Sequence, residues 1–309
     1  MTKYHSTGTA RLFWRRGPAG TVRQIGQSEA LTVAFHGVRG STPCHGDEIR
    51  RYGGNTASVS LTAPGSDPIL FDLGTGVRYF GLECSPDRSF TGACLLSHLH
   101  WDHMQGLPFF TPLLRAGSEL DVYAPSQASG RTVYDVMTDT IRPPLFPITL
   151  AELPGEIRFH DVADSEFSIG EFDVISRLIP HIGRTCGYRV TWRGQSVSYL
   201  SDHQQPCDGS FSVTPGALEL CEGVDILIHD AQYTPAEFQS KCDWGHCMIE
   251  YAVWLAIEAR ARTLVLFHHD PSHDDDRIDA LAEAAASCGR ARGIDVVAAY
   301  EGLRLTLGA

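Results

Sequence analysis

No two of the nine cysteines stand three positions apart, so the chain contains no Cys-x-x-Cys pair. That excludes a zinc ribbon of the usual spacing and a thioredoxin-like redox motif. An odd number of cysteines scattered from Cys44 to Cys288 reads instead as free thiols in a reducing compartment. Positive charge is also in short supply. The 25 lysines and arginines face 37 aspartates and glutamates, a net charge of −12, which argues against an extended polyanionic partner gripped through its phosphates. Nucleic acid is therefore a less favoured partner than a small substrate. Long apolar runs are missing too, and no stretch approaches the roughly 20 residues of a membrane span. The opening "MTKYHSTGTARLFWRRGPAGTVRQIG" lacks the apolar centre of a signal peptide, and no apolar run follows Arg15-Arg16. The expectation is a soluble, cytoplasmic protein without a membrane partner.

What is present is an ordinary globular balance, with 43% apolar and 20% charged residues over 309 positions. Such a chain can bury a sizeable core without disulfides, as a single domain. Residues 1–28 are polar and lack periodicity, so they are expected to be an N-terminal extension free to move, with the domain proper over 29–309. From Leu31 the pattern is rich in strands: "LTVAFHGVRG", "ASVSLTA", "PILFDLGTG", "GACLLSHLH" and "ELDVYAP". "GRTVYDVMTDTI" has helical spacing, and the proline-rich "RPPLFPIT" after it cannot be helical throughout. "GYRVTWRGQSVSYLSD" reads as a hairpin turning at Arg193-Gly194. Strand and helix then alternate through "VDILIHD", "CMIEYAVWLAIEARA", "TLVLFHHD" and "DDDRIDALAEAAASCG", and "IDVVAAYEGLRLTL" closes the chain with one or two strands. A strand-heavy first half followed by strand–helix alternation suggests two sheets with helices outside.

Four apolar runs end in histidine or aspartate: "LLSHLHWDH", "RLIPH", "SYLSD" and "LVLFHH". Ligands and chemistry gather where strands end in layered α/β proteins, so His98, His100, Asp102, His103, His181, Asp202 and His268 could converge. Alternate residues of an extended strand share a side, so His98 and His100 can address one ion. A turn at Trp101 lets Asp102 and His103 address a second. Imidazole and carboxylate donors without thiolate suit zinc, manganese or iron.

"SHLHWDH" resembles the His-x-His-x-Asp-His signature of the metallo-β-lactamase superfamily, and Asp72 in "FDLGTG" matches the aspartate that precedes it there. The resemblance runs from about Leu31 to the C-terminus. It implies a four-layer αββα sandwich of α/β class and two divalent metal ions, zinc above all, with Mn2+ or Fe2+ as alternatives. Carried over, it makes His98, His100 and His181 ligands of one ion, and Asp102, His103 and His268 ligands of the other. Asp202 takes the bridging position, and Asp72 orients a ligating imidazole through its other nitrogen.

Classical β-lactamases place a cysteine near the position of Asp202, and flavodiiron oxygen reductases place a glutamate at that of His100. "PHIGRTCGYRV" resembles the branch that includes ribonuclease Z and the phosphoribosyl cyclic-phosphate phosphodiesterase. "WGHCMIEYA" resembles that branch's His-Ser-Thr motif, with His246 at the histidine and Cys247 replacing serine. The implied activity is hydrolysis of a small phosphodiester, cyclic ones included, by hydroxide held between two metals. Asp102 and His246 are the candidate catalytic residues, His246 lying just before a helix start that favours an anionic phosphate. A ribonuclease Z-like endonuclease, a lactonase or β-lactam hydrolase, and a non-catalytic ligand-binding protein are the alternatives. Arg39 and Arg184 default to surface residues, and His45, His229 and His269 to ordinary or supporting ones. Asp274–Asp276 is expected to be a solvated helix start, and Gly53-Gly54-Asn55 a tight turn. The Pro143–Pro147 connection and the N-terminal extension could shape the pocket, and a homodimer is compatible with the sequence.

Overall fold

The computed structural model of the chain describes residues 30–308, so the expected extension over 1–28 and its boundary lie outside the described residues. In chain order the strands are β1 (Leu31–Gly37), β2 (Ser58–Thr62), β3 (Ile69–Phe71), β4 (Thr91–Leu95), β5 (Glu119–Pro125), β6 (Glu156–Val162) and β7 (Ser165–Ile169). They continue with β8 (Phe172–Ile179), β9 (Thr185–Trp192), β10 (Gln195–Leu200), β11 (Ile226–Asp230), β12 (Thr263–Phe267), β13 (Asp295–Ala298) and β14 (Arg304–Leu307). They form two seven-stranded sheets, in the orders β14-β1-β2-β3-β4-β5-β6 and β13-β12-β11-β10-β9-β8-β7. Each sheet has an antiparallel half and a parallel half, the parallel pairs being β3–β4–β5–β6 and β10–β11–β12–β13. Helices α1 (Val77–Glu83) and α3 (Val133–Thr140) cover the first sheet, and α4 (Pro215–Cys221) and α6 (Ile249–Glu258) cover the second. Helices α2 (Trp101–Met104), α5 (Pro235–Lys241) and α7 (Asp275–Arg290) complete the set. This is the expected αββα sandwich.

Alternation along the strands builds three hydrophobic layers from two sheets. In β12, Val265 and Phe267 point between the sheets while Leu264 and Leu266 face the outer helices. In β3 and beyond, Ile69 and Phe71 point inward and Leu70 and Leu73 outward. Both faces being covered, these strands read as continuous apolar runs rather than alternating ones. In the middle layer Phe71 stacks on Tyr199 with ring centroids 4.8 Å apart. Burying a side chain such as Phe71 stabilises the fold by roughly 1.5–3 kcal/mol.

The β9–β10 hairpin turns where expected, with Arg193 at φ 47° and Gly194 at φ 83°. Two consecutive left-handed residues make the tight turn whose twist matches the strands. Short helices are secured at their starts. Thr132 and Asp135 cap α3 reciprocally, as do Thr234 and Glu237 for α5, where Pro235 supplies a preset first residue.

Two expectations are corrected. Arg39 is fully buried rather than on the surface; Nε donates to Gly53 O at 2.8 Å and Nη1 to His273 O at 2.7 Å. It braces the β1–β2 connection against the segment after β12. Of the run Asp274–Asp276, Asp274 caps α7, but Asp275 is buried and accepts from the backbone N–H groups of Arg51 (2.7 Å) and Tyr52 (3.2 Å). Acidic residues at a helix start read as solvated unless a distant loop supplies donors, and here it does.

Candidate metal centre

Parallel strands bring their C-terminal ends to one edge. Phe71 of β3 is registered with Leu95 of β4, which sets Asp72 beside the segment carrying Ser97 and His98. The second sheet delivers Asp202 just after β10, Asp230 at the end of β11 and His268 just after β12. His181 follows β8, which runs parallel to β10 because both are antiparallel to β9. All seven anticipated donors meet at this edge.

Four imidazoles are fixed from behind. His103 Nδ1 donates to Asp72 Oδ2 at 2.7 Å, and His98 Nδ1 lies 3.0 Å from Ser97 Oγ. His181 Nδ1 donates to Gly245 O at 2.7 Å, and His268 Nδ1 to Gln232 Oε1 at 2.8 Å. Each bond places the proton on Nδ1 and leaves the Nε2 lone pair facing the centre, the tautomer a metal ligand needs. His100 presents Nδ1, 3.3 Å from His181 Nε2. Close packing enforces the geometry at two glycines. A Cβ on Gly245, which has φ +97°, would come within 2.4 Å of the His181 ring, and one on Gly40 within 2.5 Å of His268 Nδ1.

Asp72 organises the first sheet's side of the centre. Its carboxylate accepts from Ser97 N (2.6 Å), Ser97 Oγ (2.9 Å), Tyr199 Oη (2.7 Å) and His103. Tyr199 thereby ties the stacked core pair directly to the site.

Asp202 divides the donors. Its Oδ1 lies 3.3 Å from both His103 Nε2 and His268 Nε2, while Oδ2 lies 3.7 Å from His98 Nε2 and 3.6 Å from His181 Nε2. Asp102 Oδ2 lies 3.0 Å from His103 Nε2 and 3.2 Å from His268 Nε2, and accepts from Ser41 N at 2.8 Å. Three overlapping groups result, His98–His100–His181–Asp202, Asp102–His103–His268 and Asp202–His246–His268, with donor atoms within 4.8 Å of one another in each. His98 Nε2, His103 Nε2 and Asp202 Oδ1 are buried without a hydrogen-bond partner. Lone pairs turned toward lone pairs at this spacing repel unless a cation lies among them, so the residues fit divalent metal.

Electrostatics agree. Burial favours a neutral His103, but Asp102, Asp202 and Asp72 outweigh it and hold the imidazole well above its ordinary range. Burial likewise opposes ionised Asp202, yet His268, His103 and His98 hold its carboxyl well below the usual carboxylate range. His98 and His181 are pushed down, chiefly by burial, His181 to about 4. A centre that draws positive charge onto a fully buried imidazole attracts cations.

His246 stands at the same edge, its Nδ1 2.8 Å from Asp230 Oδ2 and 3.8 Å from Asp202 Oδ2. Burial lowers its basicity, but Asp230 and then Asp202 outweigh this and raise it. The helix start expected to favour a phosphate is partly occupied. The first N–H groups of α6 are already used, Met248 N by Gln205 Oε1 (3.3 Å) and Ile249 N by Tyr233 O (3.0 Å). Cys247, in place of serine, donates to Asp230 O at 3.1 Å. His229 is buried against His203, and His269 bonds Ala299 O, so neither faces the centre with the other donors. Sequence reasoning missed Asp230, although "VDILIHD" carries the same strand-end signal as the four segments it used. Ser97, Gln232, Ser41 and Gly245 carry no such signal.

The centre opens into a cleft of about 370 Å3 lined by Ser41, His100, Trp101, Asp102, Asp202, Trp244 and His246. That is within the roughly 300–1,000 Å3 of small-ligand sites.

Comparison with known proteins follows the same lines. A family model described as "Beta-lactamase superfamily domain" matches residues 69–269, which span every donor named above. The ribonuclease Z of Synechococcus sp. (strain CC9311) is 25% identical over 304 residues, covering 83% of this chain and 94% of that protein. Among solved structures, the metallo-beta-lactamase fold protein YhfI from Bacillus subtilis superposes with a TM-score of 0.68 at 18% identity, covering 91% of this chain and 100% of that one. A diphosphatase from the PhnP family has a TM-score of 0.64 at 18% identity, covering 90% and 98%.

Proposed function

The chain belongs to the beta-lactamase superfamily, and from that premise we propose that it is a dinuclear metal-dependent hydrolase acting on a small phosphodiester, cyclic ones included. The observation that carries the reading is Asp202, whose two oxygens face two separate sets of donors 3.3–3.7 Å away. His98, His100, His181 and Asp202 would hold one ion, and Asp102, His103, His268 and Asp202 the other, with zinc the best match to these nitrogen and oxygen donors. Bound there, two divalent ions supply Lewis-acid charge for the phosphoryl oxygens and make water nucleophilic at neutral pH.

The chain's own residues do the rest. Asp72, Ser97, Gln232 and the Gly245 carbonyl hold the imidazole tautomers, so no ligand reorganises during turnover. Asp102, fixed by the Ser41 N–H, contributes charge on the cleft side. Asp230 accepts from His246 Nδ1 and stabilises the imidazolium, which presents its Nε2 proton to the departing alkoxide. An acid placed for an alkoxide leaving group suits phosphodiesters and lactones better than β-lactams, and between the first two the ribonuclease Z relative and the PhnP-family neighbour support phosphorus chemistry.

The test is elemental analysis of the purified protein together with a panel of phosphodiester, lactone and β-lactam substrates under added zinc or manganese. Two bound ions and phosphodiester turnover are expected, with turnover abolished in Asp202→Ala. Full turnover by that variant would sink the site assignment. The ribonuclease Z relative makes precursor tRNA the second substrate to assay; cleavage of RNA alone would replace the small-substrate reading.

A further inference from the structure

Trp101 and Trp244 stand out among the exposed apolar side chains. Four tryptophans fall within the described residues; Trp192 is buried and Trp254 half-buried, while Trp101 is 62% and Trp244 60% exposed. Both of the exposed ones line the metal-centre cleft. A large apolar ring held in water is costly unless it has a use, and exposed apolar surface at a cleft marks recognition.

Both rings are placed by residues of the centre itself. Trp101 lies between His100 and Asp102, whose side chains turn inward, and it also borders an apolar hollow of about 190 Å3 lined by Met104, Phe109, Leu145 and Phe146. Leu145 and Phe146 come from the proline-rich connection. Trp244 precedes Gly245 and His246, whose backbone and side chain are committed to His181 and Asp230. The Lys241 ammonium sits 5.7 Å over the Trp244 ring and 4.9 Å over Tyr233, and is tethered to Asp270 Oδ2 at 3.3 Å. A cation over the ring holds Trp244 at the cleft rim. Two exposed indoles from separate segments thus share one cleft with the polar metal-ligand candidates.

We propose that Trp101 and Trp244 are specificity-determining residues that bind a planar aromatic heterocycle, so that the substrate is a mononucleotide-sized phosphodiester carrying a nucleobase. This rests on the phosphodiesterase reading above. The phosphate goes to the donor floor and the base to the tryptophan rim. Stacking on an aromatic side chain tolerates any base because every base has a π-face, and its loss on alanine substitution corresponds to about 5- to 150-fold in binding.

The experiment compares a cyclic nucleotide with the matching base-free methyl riboside cyclic phosphate in the wild type, Trp101→Ala, Trp244→Ala and Trp244→Phe. The wild type is expected to prefer the base-bearing substrate. Each alanine variant is expected to lower that preference about 5- to 150-fold through KM, with Trp244→Phe restoring most of it. No preference in the wild type, or equal losses on both substrates, would overturn the clamp. Dissociation of a dimer by the alanine variants, seen by sedimentation, would also overturn it by making the rings an oligomer interface. A second readout separates the two ideas. Quenching of tryptophan emission by a nucleoside monophosphate, lost in Trp244→Ala, supports the clamp even if no phosphodiester is hydrolysed. Absence of both quenching and preference defeats it whatever the enzyme cleaves.

Discussion

Asp72→Asn is the most informative perturbation of the centre, because the side chain keeps its shape and loses only charge and one acceptor. The amide nitrogen must replace either Oδ1, which meets Ser97 N–H at 2.6 Å, or Oδ2, which meets His103, Tyr199 and Ser97 Oγ. The first choice is cheaper, since one donor opposes another instead of three. It forfeits a hydrogen bond to a charged acceptor, about 1.5–3 kcal/mol of stability. His103 Nδ1 then donates to a neutral oxygen, and its Nε2 becomes a poorer ligand. Changes of this kind cost roughly 10–100-fold in metal affinity, or about 1.4–2.8 kcal/mol. The loss should fall on the ion held by Asp102, His103 and His268, because none of the other set's imidazoles bonds Asp72. Competition of the zinc-loaded protein with a chromophoric chelator should show one ion released at 10–100-fold lower chelator and the second almost unmoved. Tyr199→Phe, which removes a donor to Asp72 but keeps the His103 bond, should shift affinity less. Two ions retained at wild-type affinity, or both weakened equally, would refute the assignment of Asp72 as the group that positions His103.

Asp230→Asn should leave metal content intact and lower turnover about 10²–10⁴-fold for esters with alkoxide leaving groups, the usual contribution of a positioned acid. Esters of nitrophenol, which depart without a proton, should lose far less, and equal losses on both would remove His246 from the acid role. Away from the centre, His36 is buried, bonds Ser60 Oγ at 2.8 Å, and is lowered to about 4, chiefly by burial. Its folded form binds a proton less readily than the unfolded chain, so its contribution to stability is complete above about pH 6.5 and is lost as pH falls toward 4. The loss approaches about 3 kcal/mol at pH 4, and should be absent from His36→Gln. Urea unfolding of both proteins from pH 7 to pH 4.5 checks this, and parallel curves with a constant offset would contradict it.

Local pattern alone determined a good deal about this protein. Apolar runs of strand length marked β1–β5, β11 and β12, because a strand covered on both faces needs no polar residue until it ends, and alternation marked the β9–β10 hairpin. Their polar endings marked seven donors, because a histidine or aspartate at the end of a buried strand has few ways to be satisfied. The turn at Arg193-Gly194 was equally legible, as its left-handed backbone is local chemistry.

Tertiary structure decided what depends on distant partners. β6 and β7 are half-exposed, with too few buried positions to register as strands. Arg39 and Asp275 look like surface charges until backbone carbonyls and N–H groups more than 200 residues away reach them. Nothing in the spacing of "SHLHWDH" and "YLSD" indicates that the two oxygens of Asp202 face different sets of imidazoles, or that Asp230 supports His246. Those facts arise when parallel strands of two sheets end at one edge. A strand's period says which way a side chain points, and only the packed sheets say what it meets.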